Sequence, residues 1–376
     1  LIKQRSGPIR VLVVEDSPTA RDLLVAILNQ SSAIQVIGTA LDGEEAVRQV
    51  ARLRPDVVTM DIQMPRMNGL DATRRIMKTT PVPIVIVTSS YNSKDMDLTF
   101  QAMRMGALTV IKKPSLTNEA ECAQVVQTVR LMADVPVVHR FGKTRPLPSI
   151  NELDLRAGPA AHPGASPPAA TAPPAIKPAA SDLTRRCTIL GIASSTGGPS
   201  ALVTALKPLP SSYPLPILIV QHITRGFAGS LCEWLDSQLN LTVRLAQQGQ
   251  ALLPGHVLLA PDDTHMQVSD RGTILLHNSP PFKGLRPSAN YLFYSMARVY
   301  GPRAAGMILT GMGDDGVEGL AELHTQGGLT IAQDEETSVV FGMPREAILR
   351  KAVDHILPIE RISSALLQLP NLSIKK

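Results

Sequence analysis

Residues 157–181 are almost entirely Ala, Pro, Gly and Ser, with Pro167-Pro168 and Pro173-Pro174 among them. Such a stretch buries too little apolar surface to offset the entropy of ordering its backbone, and its prolines lack the amide donors of helices and sheets. It reads as a semi-extended spacer. No single core can run through the 376-residue chain. The chain is expected to divide into a domain over 9–132, a linker over 133–184 and a second domain over 185–376. Each domain is long enough to bury its own core.

Before the spacer, apolar runs alternate with amphipathic stretches. Strands are expected at 10–14, 35–40, 57–60, 84–88 and 109–112, with helices such as 19–30 and 43–53 between them. This alternation is the pattern of a parallel sheet covered on both faces. Five such strands fit a flavodoxin-like doubly wound domain, whose sites lie at the carboxyl ends of the strands. The alternation resumes after the spacer, with strands expected at 188–193, 216–221, 256–260, 273–276, 304–309 and 329–333. Pro199 stands just past Gly197-Gly198, where proline suits the first turn of a helix. The second domain is therefore expected to be a doubly wound, mostly parallel α/β domain.

Composition narrows the function classes. Apolar residues make up 44% of the chain but aromatics only 3%, so Ala, Val, Ile and Leu must do most of the packing. No apolar run reaches the roughly 18 residues of a membrane span, and no signal-peptide pattern is present. The chain starts at Leu1 rather than Met, so native residues are expected to precede it. Cys122, Cys187 and Cys232 have no paired spacing, which argues against a disulfide framework or a zinc site. A cytoplasmic protein without membrane insertion is expected. The net charge of +5 is mild, and the basic residues are scattered without interleaved aromatics. No helix-turn-helix follows the spacer, so nucleic acid is not an expected partner.

Acidic residues recur at strand ends in the first domain: Glu15 and Asp16 after the first strand, Asp61 after the third. Thr88 and Lys113 close the fourth and fifth. One strand-end acid is commonly a solvated loop residue, but five positions in register are a pattern. Converging carboxylates repel unless a hard cation neutralises them, and Mg²⁺ prefers such oxygen ligands. A phosphoryl group arriving on Asp61 needs its charge offset, and Lys113 and the Thr88 hydroxyl are placed to do so. The words Val13-Val14-Glu15-Asp16-Ser17, Met60-Asp61-Ile62-Gln63-Met64-Pro65, Asn68-Gly69, Val87-Thr88-Ser89 and Lys112-Lys113-Pro114 resemble the receiver domain of two-component response regulators. The resemblance implies phosphorylation of Asp61, Mg²⁺ held by Glu15, Asp16, Asp61 and the Gln63 carbonyl, and Lys113 as the phosphate-pairing lysine. Receivers usually carry an aromatic residue where this chain has Val110.

The second domain places Ser195, His222 and Asp315 after three separate expected strands. A parallel sheet could bring them to one edge as nucleophile, base and orienting carboxylate. Gly197-Gly198 permits close backbone approach, and amides at the start of the following helix could stabilise an oxyanion. The order Ser…His…Asp and the absence of a G-x-S-x-G elbow disfavour a lipase-type fold. Each motif alone has a bland reading: a turn at 194–198, an ordinary strand-end histidine at His222, and turn-forming acids at Asp314 and Asp315.

Taken together, Ala193-Ser194-Ser195-Thr196-Gly197-Gly198-Pro199, Val220-Gln221-His222, Gly226-Phe227, Ala260-Pro261, Arg286-Pro287-Ser288, Leu309-Thr310-Gly311-Met312-Gly313 and the stretch from Ala332-Gln333-Asp334-Glu335 to Gly342-Met343-Pro344 resemble the chemotaxis protein-glutamate methylesterase (CheB) family. The receiver and spacer match its whole architecture. The resemblance implies hydrolysis of glutamate γ-methyl esters on chemotaxis receptors with release of methanol, and deamidation of selected receptor glutamines. It implies control by a chemotaxis histidine kinase as phosphodonor, no cofactor at the esterase site, and a monomer. Carried over, Ser195 is the nucleophile, His222 the general base and Asp315 its orienting partner. Thr196 and Met312 are backbone candidates for substrate or oxyanion contacts. Ser194 stands where the family usually has Ala, and Ala193 where it has Gly.

Asp262, Asp263 and His265 have the residue types of a metal cluster, but the resemblance places His265 in a loop beside the site without metal. Cys187 and Cys232 read as core residues. Two other function classes fit the residues less well. A receptor-binding adaptor with a degenerate hydrolase half is opposed by the intact Ser195, His222 and Asp315. A nucleotide-binding effector is opposed by the lack of Gly-Lys-Ser/Thr after the glycine pair.

Overall fold

The computed structural model describes residues 7–89, 93–115, 117–135, 137 and 186–371, with backbone alone at 93–97. Apart from its first residues, the expected linker lies outside them. The N-terminal domain runs β1 (Ile9–Val14), α1 (Pro18–Asn29), β2 (Ile34–Ala40), α2 (Gly43–Leu53), β3 (Val57–Met60), α3 (Gly69–Thr79), β4 (Ile84–Thr88), α4 (Ser93–Arg104), β5 (Thr109–Lys112) and α5 (Glu119–Met132). Its parallel sheet has the order β2-β1-β3-β4-β5. All five expected strands form, β1 and β2 each starting one residue early. Side chains of Ser17, Asp42, Asn68 and Asn118 accept backbone N–H bonds at the starts of α1, α2, α3 and α5. These caps begin the helices close to the carboxyl ends of the strands, where the acidic residues stand.

The second domain continues with β6 (Ile189–Ser194), α6 (Gly198–Leu206), β7 (Ile217–Gln221), α7 (Ala228–Gln238), β8 (Thr242–Leu245), β9 (His256–Leu259), β10 (His265–Val268), β11 (Ile274–His277) and α8 (Ala289–Tyr300). It closes with β12 (Ala304–Ile308), α9 (Val317–Thr325), β13 (Leu329–Gln333), α10 (Met343–Leu349), β14 (His355–Leu357) and α11 (Ile359–Gln368). Seven strands form a parallel sheet in the order β14-β13-β12-β6-β7-β9-β8. The chain winds outward from β6 in one direction through β7 and in the other through β12. A crevice at the carboxyl end of β6 is the place where such a sheet holds its ligand. The central strands β6, β7, β12 and β13 are buried along their whole length, which is why they read as continuous apolar runs.

Three expectations are corrected. The strand expected at 273–276 does not join the main sheet, because β11 pairs antiparallel with β10 in a separate hairpin. His265, expected in a loop, is the first residue of β10. Strands β8, β10 and β14 were not expected. They are short and carry Thr, Arg, His or Gln, because two are sheet edges and the third belongs to the hairpin, where continuous apolarity is not required.

The domains touch along the α4 and β5 side of the first. Phe100 of α4 stacks on Trp234 of α7 with ring centroids 4.9 Å apart, and both rings are buried. Arg104 Nη1 donates to Gln238 Oε1 at 3.3 Å. Thr224 Oγ1, in the loop after β7, donates to the Val110 carbonyl of β5 at 2.7 Å. This contact uses the outer edge of a terminal strand, whose backbone groups would otherwise be unpaired.

Candidate functional site

In the first domain, β1 and β3 are neighbours, and Asp61 N donates to the Val14 carbonyl at 3.0 Å. That pairing sets Glu15, Asp16 and Asp61 side by side, with one carboxylate oxygen of each within 4.8 Å of the others. Glu15 and Asp61 are buried, whereas Asp16 is exposed. Lys113 Nζ reaches Asp61 Oδ2 at 2.8 Å and Glu15 Oε1 at 2.9 Å. Burial holds both carboxyls above their ordinary pKa, against the opposing pull of Lys113. Burial also disfavours the Lys113 ammonium, but its bonds to Asp61 and Glu15 outweigh this and hold its pKa up.

Glu15 Oε2 is buried and has no aligned hydrogen-bond donor, although Lys113 Nζ lies 2.8 Å away. An unmet anionic oxygen beside two further carboxylates fits a hard divalent cation. Thr88 is buried at the end of β4, and its carbonyl accepts from Lys113 N at 2.9 Å. Gln63 is exposed two residues beyond Asp61. Gly69 is required by space, because a Cβ there would lie 1.9 Å from the Asp61 carbonyl oxygen.

In the second domain, Ser194 of β6 pairs with Gln221 of β7, so Ser195 and His222 leave adjacent strand ends together. His222 N donates to the Ser194 carbonyl at 2.9 Å, and Ser195 N to the Thr310 carbonyl at 3.0 Å. The loop after β12 then carries Asp315 to His222, with Nε2 2.8 Å from Asp315 Oδ2. Among the described residues, no hydrogen bond joins Ser195 Oγ to the His222 ring. Asp315 is buried and accepts further bonds from Ala289 N at 2.7 Å, Asn290 Nδ2 at 2.9 Å and Ser288 Oγ. Burial opposes its charge, but these donors together with His222 hold the carboxyl below the usual range. Asp314 points elsewhere, pairing with Lys283 at 2.9 Å and Arg350 at 3.4 Å.

The Asp315 environment predicts a pH dependence. Its folded pKa lies below the unfolded value of about 3.9, so the ionised side chain contributes stability above that value. The contribution is lost as pH falls through the folded pKa. Melting temperatures of the wild type and Asp315→Asn should differ near neutral pH and converge in strong acid. A gap that stays constant through acid would contradict this.

The nucleophile turn is held by groups that the sequence reading did not assign. Gln221 Nε2 donates to the carbonyls of Ser195 and His222, each at 2.8 Å, and its Oε1 accepts from Ser194 Oγ at 2.6 Å. Ser194 is thus tied to the strand that carries His222. Gly198 is required beside this bridge, because a Cβ there would lie 2.0 Å from Gln221 Oε1. Thr196 is buried, and its carbonyl accepts from Thr310 Oγ1 at 2.9 Å. Met312 is half-buried and packs with Val339 and Val340 against the apolar cluster of the first domain.

Asp262 accepts from Gly226 N at 3.1 Å, Asp263 from Arg286 Nε at 2.8 Å, and His265 uses both ring nitrogens within the fold. These three groups do not converge on a common point. Burial pushes the thiols of Cys187 and Cys232 up to about 11, which keeps them protonated and poorly nucleophilic at neutral pH. Among the described residues, no helix is long and apolar enough to cross a membrane.

The chain is similar to known proteins along both domains. The CheB methylesterase family matches residues 190–366, and the response regulator receiver domain family matches residues 11–126. A protein-glutamate methylesterase/protein-glutamine glutaminase of Nitrosospira multiformis is 45% identical over 365 residues, covering 96% of this chain and 97% of its own. A protein of the same description from Myxococcus xanthus is 44% identical over 369 residues, with 96% and 97% coverage. The crystal structure of the Thermotoga maritima CheB methylesterase catalytic domain is 39% identical with a TM-score of 0.47, covering 49% of this chain and 98% of that one.

Proposed function

The chain belongs to the CheB methylesterase family, and from that premise we propose that it is a phosphorylation-controlled hydrolase of glutamate γ-methyl esters on chemotaxis receptors, which also deamidates receptor glutamines. The observation that carries the reading is the His222–Asp315 pair standing beside Ser195 at the switch point of the sheet. Asp315, held as an acceptor-only anion, requires the proton of His222 on Nε2. Nδ1 is then the ring atom left to take the Ser195 proton. Ser195 Oγ attacks the ester carbonyl, and His222 passes the proton to the departing methoxide, which leaves as methanol. Water then attacks the acyl-serine, with His222 again as base, and frees the glutamate. With a glutamine side chain the same steps release ammonia. Backbone amides at Thr196 and Met312 are the candidate donors to the oxyanion.

Phosphorylation of Asp61 by a chemotaxis histidine kinase supplies the control. Mg²⁺ held by Glu15, Asp16, Asp61 and the Gln63 carbonyl would offset the charge of the incoming phosphoryl group. Lys113 and the Thr88 hydroxyl are positioned to pair with the phosphoryl oxygens. The resting contact supports a covered state. Thr224 lies two residues beyond His222, and the Val110 carbonyl it binds lies three residues before Lys113. Phosphorylation can shift the population from this state only by its differential stabilisation of the other. The enzyme we propose is a monomer in the cytoplasm.

The test is methanol release from a methylated receptor, with and without a small-molecule phosphodonor and Mg²⁺. The rate should rise with the donor in wild type and stay flat in Asp61→Asn; a rise in Asp61→Asn would remove Asp61 from the switch. Thr224→Val should raise the rate without the donor, by up to about fivefold for one lost hydrogen bond, while leaving the phosphorylated rate unchanged. An unaltered resting rate would dismiss this bond as part of the cover.

A further inference from the structure

Behind the Asp315 carboxylate lies a buried histidine that the proposed reaction does not use. His265 has no exposed surface, and its Nδ1 accepts from Ser288 N at 3.1 Å. Its Nε2 faces the Pro280 carbonyl at 3.3 Å. Ser288 is also fully buried and caps α8, its Oγ accepting from Asn290 N at 3.2 Å while donating to Asp315 Oδ1. The next amide, Ala289 N, donates to Asp315 Oδ2. Two of the four donors on Asp315 therefore come from the residue that His265 grips and from its neighbour.

We propose that His265 is a positioning residue for the hydrolytic site, fixing the first turn of α8 through Ser288 so that Asp315 presents Oδ2 to His222. This rests on the reading of His222–Asp315 as the base pair of the esterase. Helix-start amides have no partner within the helix, and their direction follows the local backbone. At α8 that backbone is anchored by the bond from Ser288 N to the imidazole. The anchor requires Nδ1 without a proton and therefore the neutral Nε2–H tautomer, because a proton on Nδ1 would face the Ser288 N–H. The surroundings suit that form. Tyr291 lies 4.2 Å from the ring centroid and His277 5.3 Å away, and burial lowers the pKa of His265. His277 and Arg286 reinforce the lowering, while Asp315 and the Pro280 carbonyl oppose it.

The experiment uses the full chain and measures kcat and KM for methanol release from a methylated receptor, together with melting temperature. His265→Leu keeps apolar bulk but removes the acceptor. It should lower kcat by about tenfold or more with KM within about twofold. His265→Asn offers Oδ1 to Ser288 N and should recover kcat to within about threefold of wild type. Ser288→Ala should resemble His265→Leu, and the double variant should fall little below the worse single one, since both act through one chain of bonds. Wild-type kcat in Ser288→Ala or His265→Leu would overturn the proposal. So would a His265→Asn protein as impaired as His265→Leu, because packing rather than the acceptor would then be what matters. If His265→Leu fails to fold, Ser288→Ala and His265→Asn decide alone. Asp315→Ala separates the two levels: full activity there overturns the His222–Asp315 reading itself, whereas an inactive Asp315→Ala beside fully active His265 and Ser288 variants overturns only the positioning role.

Discussion

Replacement of Ser195 by alanine is expected to slow methanol release by at least about 10³-fold, with the folded state and receptor binding intact. The expectation follows from position. Ser195 leaves β6 at the switch point, with its amide bonded to the Thr310 carbonyl and its own carbonyl held by Gln221. Ser195 is half-buried, and among the described residues its hydroxyl joins none of the hydrogen bonds that maintain the turn, so its loss removes chemistry rather than structure. Whatever rate survives would come from donors to the oxyanion and from substrate binding. A Ser195→Ala protein with wild-type turnover would end the serine-hydrolase reading. Unchanged melting temperature and unchanged receptor capture would show that the loss is chemical.

The second large effect separates two adjacent acids. Asp315→Ala is expected to cost about 10³-fold or more in kcat, and Asp314→Ala less than about threefold. Asp315 is buried, bonded to His222 and fed by three further donors, so its removal leaves His222 without its orienting partner and strands Ser288 Oγ and Asn290 Nδ2. Asp314 is partly exposed and pairs with Lys283 and Arg350 at the surface, where ion pairs contribute little. Equal losses from both substitutions would mean that the loop as a whole, and not the carboxylate on His222, is what catalysis needs. Measuring kcat and KM separately distinguishes lost transition-state stabilisation from weakened binding.

Much of this arrangement is legible in the sequence. Glu15, Asp16, Asp61, Ser195 and His222 each end a strand or follow one, and in a doubly wound sheet that alone assigns them to a carboxyl edge. The strands bearing them are buried on both faces, so their apolar runs are long enough to recognise. The edge strands β8 and β14 and the β10–β11 hairpin were misread or missed because one-sided or short pairing leaves no such run. The family resemblance put His265 in a loop, whereas it opens the short strand β10, and its bond to Ser288 N carries no sequence signal beyond the Arg286-Pro287-Ser288 word. Gln221 stood next to His222 in plain view, but nothing local says that its amide bridges the nucleophile turn.

By itself the sequence determined two α/β folds and the residue types that end each strand. Those properties follow from short-range periodicity and backbone chemistry, which neighbouring residues encode. The resemblance already favoured Asp315 over Asp314, but only the tertiary structure decided that its Oδ2 meets His222 Nε2, that α8 starts against that carboxylate, and that Thr224 binds the edge of β5. Each of these joins segments tens of residues apart or more, and their side chains meet only once helices and sheets have packed. The direction of a buried donor is set by that packing and by the need to satisfy every polar group within it.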